Sequence, residues 1–331
     1  MMKIIPYLLF ALFIYLLPVL LAGSYWIHVL VIIGIYVIAA AGVDLVVGFA
    51  GQLSLCQAAF FSIGAYASAI LTTTYHLHPL PAMIGAMFFT ALIAYGVGAP
   101  VLRLKGYYLA IATLGFGLIV QSLFVTLAKY TGGPDGFRDI VPLRLAGFIF
   151  KSDAQYYYPI WTVALVILLL TRNIVNSRVG RAMLALRGDD VAAASMGVDI
   201  AKYKIQAFTL SAAFASLAGS LYAHTNRFIS PQMADLSSSV EMIIIVVLGG
   251  IRTVFGVLIG TTIMKMIPEV LESFMDYQMV TTGAILIALL IYMPRGMIGV
   301  AQNFLVRIYL PGGVLGGIHN FLVRVSSRRK T

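Results

Sequence analysis

The sequence predicts an all-α integral membrane protein with about ten transmembrane helices. Only 10% of its 331 residues are charged and 61% are apolar, whereas a soluble domain carries about 25% charged residues. Uncharged runs long enough to cross a bilayer recur along the chain, and the basic residues gather in a few segments between them. This composition excludes a soluble enzyme and a disordered chain, and the single cysteine, Cys56, excludes a disulfide scaffold.

The formal net charge of +10 raises the question of a nucleic-acid partner. Binding to nucleic acid requires basic residues that cluster on one solvated face. Here long uncharged runs separate the charges, so we expect no nucleic-acid partner.

The predicted spans are predominantly apolar runs of about 20 residues, the length of a helix that crosses the hydrocarbon core. The run that follows Lys3 is predicted to be retained because a second apolar run begins at once; a cleaved signal peptide is the alternative. No charged residue occurs from Leu45 to Leu102, and turn residues around Pro79 divide these 58 positions into two spans. The predicted spans are 4–22, 26–47, 49–74, 82–102, 107–128, 154–171, 205–223 and 277–294, with two overlapping candidates, 241–264 and 254–275.

The two overlapping candidates meet at the glycine pair Gly249 and Gly250. Two shorter helices that flank this pair give ten crossings. A re-entrant element over 241–275 gives eight or nine crossings instead, so the prediction is 8–10.

The basic residues orient these spans, because Lys and Arg concentrate in cytoplasmic loops. With ten spans and segment 172–204 inside, both termini are cytoplasmic, and the cytoplasmic segments hold 16 basic and three acidic residues. The external segments then hold six basic and eight acidic residues. In this topology, residues 1–300 form one polytopic domain, and the basic tail 301–331 lies on the membrane surface against anionic lipid.

The sequence lacks the motifs of nucleotide and metal chemistry. No G-x-x-x-x-G-K-[ST] or H-E-x-x-H run occurs, and the five histidines are scattered. We therefore predict no catalytic residues, no metal site, no cofactor and no ATPase activity, which leaves transport or scaffolding as the function.

One segment that stands out is the glycine-rich run 44–66. Its glycines allow close helix approach or a broken helix, and polar groups inside a membrane are costly unless they face protein or a water-filled path. The candidates for a translocation pathway are Asp44, Gly51, Gln52, Ser54, Gln57 and Tyr66. Two alternatives stay open: the polar side chains hydrogen-bond neighbouring helices, or Asp44 lies at a helix end in the interface.

A second segment, 178–199, is basic and too short to span. Gly188 breaks the chain, and Asp189 or Asp190 can cap a short helix that Gly197 ends. Such a helix would lie across the cytoplasmic face and offer a surface of small alanines; an ordinary basic loop is the alternative. The candidates for this contact are Arg181, Arg187, Gly188, Asp189, Asp190, Ala193, Ala194 and Gly197.

A third segment, the external loop 129–158, contains a Pro-Asp-Gly turn signature. Together with the loop 224–241 it is a candidate docking surface outside the membrane, and a plain solvated hairpin is the alternative. The candidate residues are Gly132, Gly133, Asp135 and Arg227.

As a set, these motifs resemble the permease subunits of branched-chain amino acid ABC importers, the LivM type of the LivH/LivM family. The resemblance covers about residues 25–300, with Cys56 standing where the family pattern leads us to expect glycine. Its motifs are Gly51-Gln52-Leu53-Ser54-Leu55, Gly132-Gly133-Pro134-Asp135-Gly136, Gly180-Arg181-Ala182-Met183-Leu184-Ala185-Leu186-Arg187 and Gly249-Gly250-Ile251-Arg252.

The resemblance implies a multi-pass permease of the bacterial cytoplasmic (inner) membrane that works by alternating access. Its implied partners are a second permease of the same family, two cytoplasmic ATP-binding subunits and an extracytoplasmic solute-binding protein. Segment 178–199 becomes a coupling helix seated on an ATPase subunit. The implied substrate is a branched-chain amino acid; the alternatives are a urea or short-amide permease of the same family and, more distantly, an ion-coupled secondary transporter, for which only Asp44 is available.

Overall fold

The computed structural model describes residues 14–18, 24–145, 148–150 and 152–270, together with positions 283, 287, 291, 296 and 297. Most of the predicted spans 4–22 and 277–294, and the whole tail 301–331, lie outside the described residues. The α-helices after residue 23 are α1 Ser24–Val43, α2 Gln57–Thr73, α3 Pro79–Val101, α4 Tyr107–Thr126, α5 Ala128–Thr131, α6 Asp153–Asn176, α7 Arg178–Gly188, α8 Asp190–Ser195, α9 Ile200–Asn226, α10 Leu236–Gly249 and α11 Val254–Val270.

Short elements connect these helices. A π-helix, Asp44–Phe49, continues α1, and 3-10 turns cover Gly133–Asp135 and Pro231–Ala234. Two short antiparallel strands, β1 (Arg144–Leu145) and β2 (Phe148–Ile149), precede α6.

Among the described residues, five helices are long and apolar enough to cross a membrane: Tyr25–Phe49, Pro79–Val101, Tyr107–Thr126, Asp153–Asn176 and Ile200–Asn226. They confirm a multi-pass, helical membrane protein. The first of these is 83% buried inside the structure, whereas the spans of α3 and α4 are only 28% buried. The α1 helix is therefore the centre of the bundle, and α3 and α4 lie at its periphery.

The predicted span 49–74 is wrong at its beginning. Residues 50–56 form no helix, and α2 starts only at Gln57. The physical reason is Gly51, whose φ of +67° is a left-handed conformation that ends the preceding helix. At the glycine pair, by contrast, two separate helices flank Gly250, as the two-helix alternative predicts.

The helices α2 and α9 pack in unusually close contact and run parallel. A Cβ on Gly64 would overlap the backbone of Ser216, and one on Gly219 would overlap the Phe61 carbonyl oxygen. Such contacts bring the two backbones together as small residues do in membrane helix pairs. The α2–α9 pair, with α1 beside it, forms the scaffold on which the candidate site is built.

Candidate transport and coupling site

The candidate site centres on the interruption between the π-helix and α2, which we call the broken segment (residues 50–56). Along it, Gly51 and Leu53 are exposed while Gln52 and Ser54 are buried. This alternation is typical of extended backbone, whose successive side chains point to opposite sides. Non-helical backbone is tolerated within a bilayer only where protein or a water-filled cavity surrounds it, so a position of this segment inside the bilayer would require a partner subunit or a polar path at its exposed side.

Backbone hydrogen bonds hold the broken segment in place. The Gln52 N–H donates to the Val46 carbonyl at 2.9 Å, and the Leu55 N–H donates to Thr113 Oγ1 of α4 at 3.0 Å. At the start of α2, the Ala58 N–H donates to Ser239 Oγ of α10 at 3.1 Å. The segment is thus connected to three different helices, and a movement of any of them would displace it.

Asp44, at the start of the π-helix, is fully buried. Its Oδ1 accepts a hydrogen bond from the backbone N–H of Arg252 at 2.9 Å. Arg252 adopts a φ of +67° in the turn between α10 and α11, so the carboxylate fixes that turn against α1. The second carboxylate oxygen, Oδ2, is buried and has no hydrogen-bond partner among the described residues.

Arg187, at the end of α7, reaches the same region from the predicted coupling segment. Its Nη1 donates to the Gly48 carbonyl, and also to the Val47 carbonyl at 3.4 Å. The Arg187 side chain also packs on Gly51, where a Cβ would lie 2.9 Å from Cγ of Arg187. The predicted coupling segment therefore contacts the π-helix and the first glycine of the broken segment directly.

The polar side chains on α2 mostly bond to α9. Gln57 Nε2 donates to the Ser211 carbonyl at 3.0 Å, and Ser211 Oγ donates to Gln57 Oε1 at 3.1 Å. Farther along, Ser68 Oγ lies 2.8 Å from His224 Nε2. For Gln57, these hydrogen bonds agree with the alternative interpretation, in which the side chain bonds to a neighbouring helix.

Gln52 and Tyr66 differ from Gln57. The Gln52 amide is buried, and neither of its polar atoms has a hydrogen-bond partner among the described residues. The Tyr66 ring stacks on Phe124 at 4.2 Å between centroids, and its hydroxyl also lacks a described partner. A buried amide without partners is costly, so Gln52 is the polar group on the broken segment best suited to meet water or substrate.

The coupling segment has the caps that its sequence predicts. Asp189 Oδ1 accepts from the backbone N–H groups of Val191 at 2.7 Å and Ala192 at 3.2 Å, which starts α8. Gly197, with a φ of +79°, follows its end. Asp190 forms an ion pair with Lys204 of α9 at 2.6 Å, so α8 is clamped to the membrane domain.

The surface of α8 differs in part from the predicted one. Ala193 is buried rather than exposed. The helix α8 has fewer than two turns and contacts α7 and α9, and Ala193 lies on the side that faces them. The exposed side carries Ala194 together with Val191 and Met196, which are 68% and 84% exposed. The sequence reasoning missed Val191 and Met196, whose signal was that they are the large apolar side chains of the stretch 189–197.

At the opposite end of the bundle, the two predicted docking loops pair with each other. The backbone groups of Phe137 and Ile229 exchange hydrogen bonds of 2.8 and 3.1 Å. A Cβ on Gly136 would overlap the Ile229 carbonyl, so only glycine fits there. Of the predicted docking residues, Gly132, Asp135 and Arg227 are exposed and Gly133 is buried.

An ion pair inside the bundle is a feature that the sequence reasoning missed. Glu241 of α10 and Lys265 of α11 lie 2.6 Å apart, with side chains 26% and 17% exposed. The Lys265 ammonium also lies 3.5 Å from the centre of the Tyr36 ring of α1, a cation–π contact. Asp44 is therefore not the only ionisable residue among the packed helices.

Replacing Lys265 with Met should destabilise the protein more than replacing Lys265 and Glu241 together with Met and Gln. The single change leaves a half-buried carboxylate without its counter-ion. Breaking a fully buried pair costs about 3–5 kcal/mol, and we expect less here because both side chains are partly exposed. Thermal unfolding of the purified variants measures the effect, and equal melting temperatures for the single and double variants would contradict this role.

Among the described residues, no three His, Cys, Asp or Glu side chains lie close enough together to hold a metal ion. The candidate site consists of a helix break, buried polar groups and the contact with Arg187 of α7.

Residues 25–293 match the family described as "Branched-chain amino acid transport system / permease component". The chain belongs to this family. It is 34% identical to the high-affinity branched-chain amino acid transport system permease protein LivM of Escherichia coli K12 and to that of Salmonella typhimurium, over 81% of this chain and 68% of each relative. It is also 26% identical to LivH of Salmonella typhimurium, over 80% of this chain and 91% of LivH. No solved structure is significantly similar to this chain.

The family membership confirms the resemblance found in the sequence. These relatives are named as permease proteins, not as ATPase subunits. The match covers the broken segment, the coupling segment and the paired external loops in one continuous region. The three features therefore lie within the region that matches the family.

Proposed function

We propose that the chain is a permease subunit of an ABC importer for branched-chain amino acids, in the inner membrane of a bacterium. It forms half of the translocation pathway, and partner subunits hydrolyse the ATP. The observation that carries the mechanism is the contact of Arg187 with the helix break, since it joins an exposed helix directly to the broken segment. Family membership supports the substrate class.

In the proposed topology, ten helices cross the membrane and both termini are cytoplasmic. The α7–α8 pair then lies on the cytoplasmic side, where the positive-inside rule places its arginines. The α10 and α11 helices have 14 and 17 residues, so they cross only if the bilayer thins or other segments extend them.

The proposed transport cycle uses three contacts. A liganded binding protein docks on the paired loops around Asp135 and Arg227. ATP-driven closure of the ATPase subunits, seated on Val191, Ala194 and Met196, then moves α8. Arg187 transmits this movement to the π-helix, and the broken segment opens the path to one side at a time.

A second permease of the same family completes the pathway. The similarity to both LivM and LivH supports such a pairing, because two kinds of permease occur under the same system name. The exposed apolar surfaces of α3 and α4 offer area for a partner helix or for lipid. The exposed sides of Gly51 and Leu53 would then face the path between the two subunits.

Substrate class is tested by competition. In cells that contain the complete importer, unlabelled leucine, isoleucine or valine should inhibit uptake of labelled leucine, and urea or acetamide should not. Inhibition by urea or acetamide, but not by the three amino acids, would support the urea or short-amide alternative.

Cysteine labelling tests whether the broken segment lines the pathway. On a Cys56→Ala background, Leu53→Cys should react with a water-soluble maleimide, and Gln52→Cys should react only in some nucleotide states, because Gln52 is 3% exposed in this state. Ala59→Cys, fully buried in α2, is the matched control and should stay unreactive. If Gln52→Cys is as inert as Ala59→Cys in every state, the packing interpretation holds for Gln52 as well.

A further inference from the structure

A large groove lies beside the start of α9, away from the broken segment. It has a volume of about 950 Å³, near the upper end of the ~300–1,000 Å³ typical of small-molecule sites. Its inner walls are apolar and come from three membrane spans, α3, α6 and α9. The wall residues are Tyr95, Ile174, Ile205 and Leu210.

The mouth of the groove is polar and basic. Lys202 lines it, and a smaller adjoining groove of about 160 Å³ shares Ala201 and Ile205 and adds Arg103 and Lys105. The acidic residues nearby are already engaged. Asp190 pairs with Lys204 at 2.6 Å, and Asp199 Oδ1 accepts the backbone N–H of Lys202 at 3.1 Å to cap α9.

One polar group inside the groove lacks a partner. The Thr209 hydroxyl is buried, and no described residue hydrogen-bonds to it. Thr209 lies seven residues beyond Lys202 on α9, about 10 Å along the helix axis. This hydroxyl has almost no accessible surface, so a lipid oxygen would reach it only after a movement of the Thr209 side chain or its neighbours.

An apolar stripe leads away from the groove along α3. Phe88, Leu92 and Tyr95 follow one another at helical spacing and are 67%, 70% and 58% exposed. Tyr95 belongs to both the stripe and the groove. The groove therefore continues into a surface suited to an acyl chain.

We propose that this groove is a binding site for one anionic phospholipid, with its phosphate on Arg103, Lys105 and Lys202 and an acyl chain against Tyr95 and Leu210. Basic pockets between helices on the cytoplasmic side of a membrane bind anionic head groups. The charge at the mouth and the apolar walls on membrane spans together favour a lipid over a soluble anion. The proposal rests on the proposed orientation, in which α7 and the start of α9 are cytoplasmic.

The site is beside the coupling segment, which gives it a consequence for regulation. Lys204 and Asp190 link the smaller groove to α8. A bound phosphate would attract Lys204 and repel Asp190, so it would compete with their ion pair and loosen α8 from α9. The lipid would thereby set how firmly the coupling helix is clamped.

The test is lipid binding to the purified full-length complex, delipidated and titrated with phosphatidylglycerol or phosphatidylethanolamine and followed by native mass spectrometry. Phosphatidylglycerol should bind more tightly. Each basic residue near an anionic surface contributes about a fivefold factor in affinity, so the double variant Arg103→Gln, Lys202→Gln should bind it roughly 25-fold more weakly. The double variant Lys129→Gln, Arg144→Gln, which removes equal charge elsewhere, should bind as the parent does.

A second variant blocks the groove without changing its charge. Ala201 is exposed and lines both grooves, so Ala201→Trp should fill their junction and weaken phosphatidylglycerol binding, while Lys202→Arg should retain it. Equal binding of the two lipids, or parental binding by both the double variant and Ala201→Trp, would overturn the proposal. Displacement of the lipid by inorganic phosphate alone would assign the site to a soluble anion and overturn it too.

Lipid binding and transport are measured separately, so their failures are distinguishable. If uptake of branched-chain amino acids fails but selective phosphatidylglycerol binding holds, the proposed function is wrong and the lipid site stands. If uptake succeeds and the lipid preference is absent, only the lipid site is wrong.

Discussion

Replacing Arg187 with Ala should reduce ATP-driven uptake roughly 10- to 150-fold while the subunit still inserts and assembles. The guanidinium donates to the Val47 and Gly48 carbonyls and is the described side chain that joins α7 to the π-helix. A hydrogen bond to a charged group contributes about 1.5–3 kcal/mol, and its loss removes the mechanical link between the ATPase-facing helix and the pathway. Adding Asp190→Asn, which breaks the ion pair with Lys204, should bring uptake to background.

The matched control for this prediction is Arg178→Ala. Arg178 is an exposed arginine at the first position of the same helix, so its loss changes the charge equally without touching the helix break. The informative second readout is ATP hydrolysis by the assembled complex. We expect hydrolysis to persist in Arg187→Ala but to become independent of the binding protein; normal uptake in this variant would contradict the coupling role.

Replacing Gly64 with Val should prevent stable folding of the permease. The new Cβ would overlap the backbone and Oγ of Ser216, and neither backbone can move without separating α2 from α9. Overpacking a well-packed core costs about 1–3 kcal/mol and sometimes more; here three carbons enter a contact between two backbones, so we expect at least about 3 kcal/mol. The measurements are yield from membranes and thermal unfolding in detergent.

Gly96→Val is the control for the Gly64 prediction. Gly96 is also inside a helix, α3, but a Cβ there would meet no atom within 4 Å. Valine has a better helix propensity than glycine, so Gly96→Val should leave the melting temperature unchanged or slightly raised. Similar losses of melting temperature in Gly64→Val and Gly96→Val would show that helix propensity or lipid contact, rather than the α2–α9 packing, determines the stability.

The features that the sequence predicts well depend on local signals. The cap at Asp189, the end of α8 at Gly197 and the two helices around Gly250 all follow from residues within a few positions of each other. Local propensity also indicates a helix break near Gly51, although the predicted span 49–74 began before that break. These elements could be predicted because their causes are turns, caps and left-handed glycines.

The features that the sequence could not predict depend on long-range packing. Arg187 and Gly48 are 139 residues apart, and Arg252 and Asp44 are 208 residues apart. The face that Ala193 presents was also undetermined, because a helix of six residues has too few turns for a periodic pattern. Such contacts are set by which helices become neighbours, and no single stretch of sequence records that.

The most direct test of the account is uptake by the purified importer in proteoliposomes. The complex contains this chain, its partner permease and the ATPase subunits. ATP is supplied on the side of the vesicle membrane that the ATPase subunits face, and the binding protein is supplied on the opposite side. The account predicts accumulation of labelled leucine only with both ATP and the binding protein, and none when Arg187→Ala replaces the parent chain. Leucine accumulation driven by an ion gradient without ATP would contradict it.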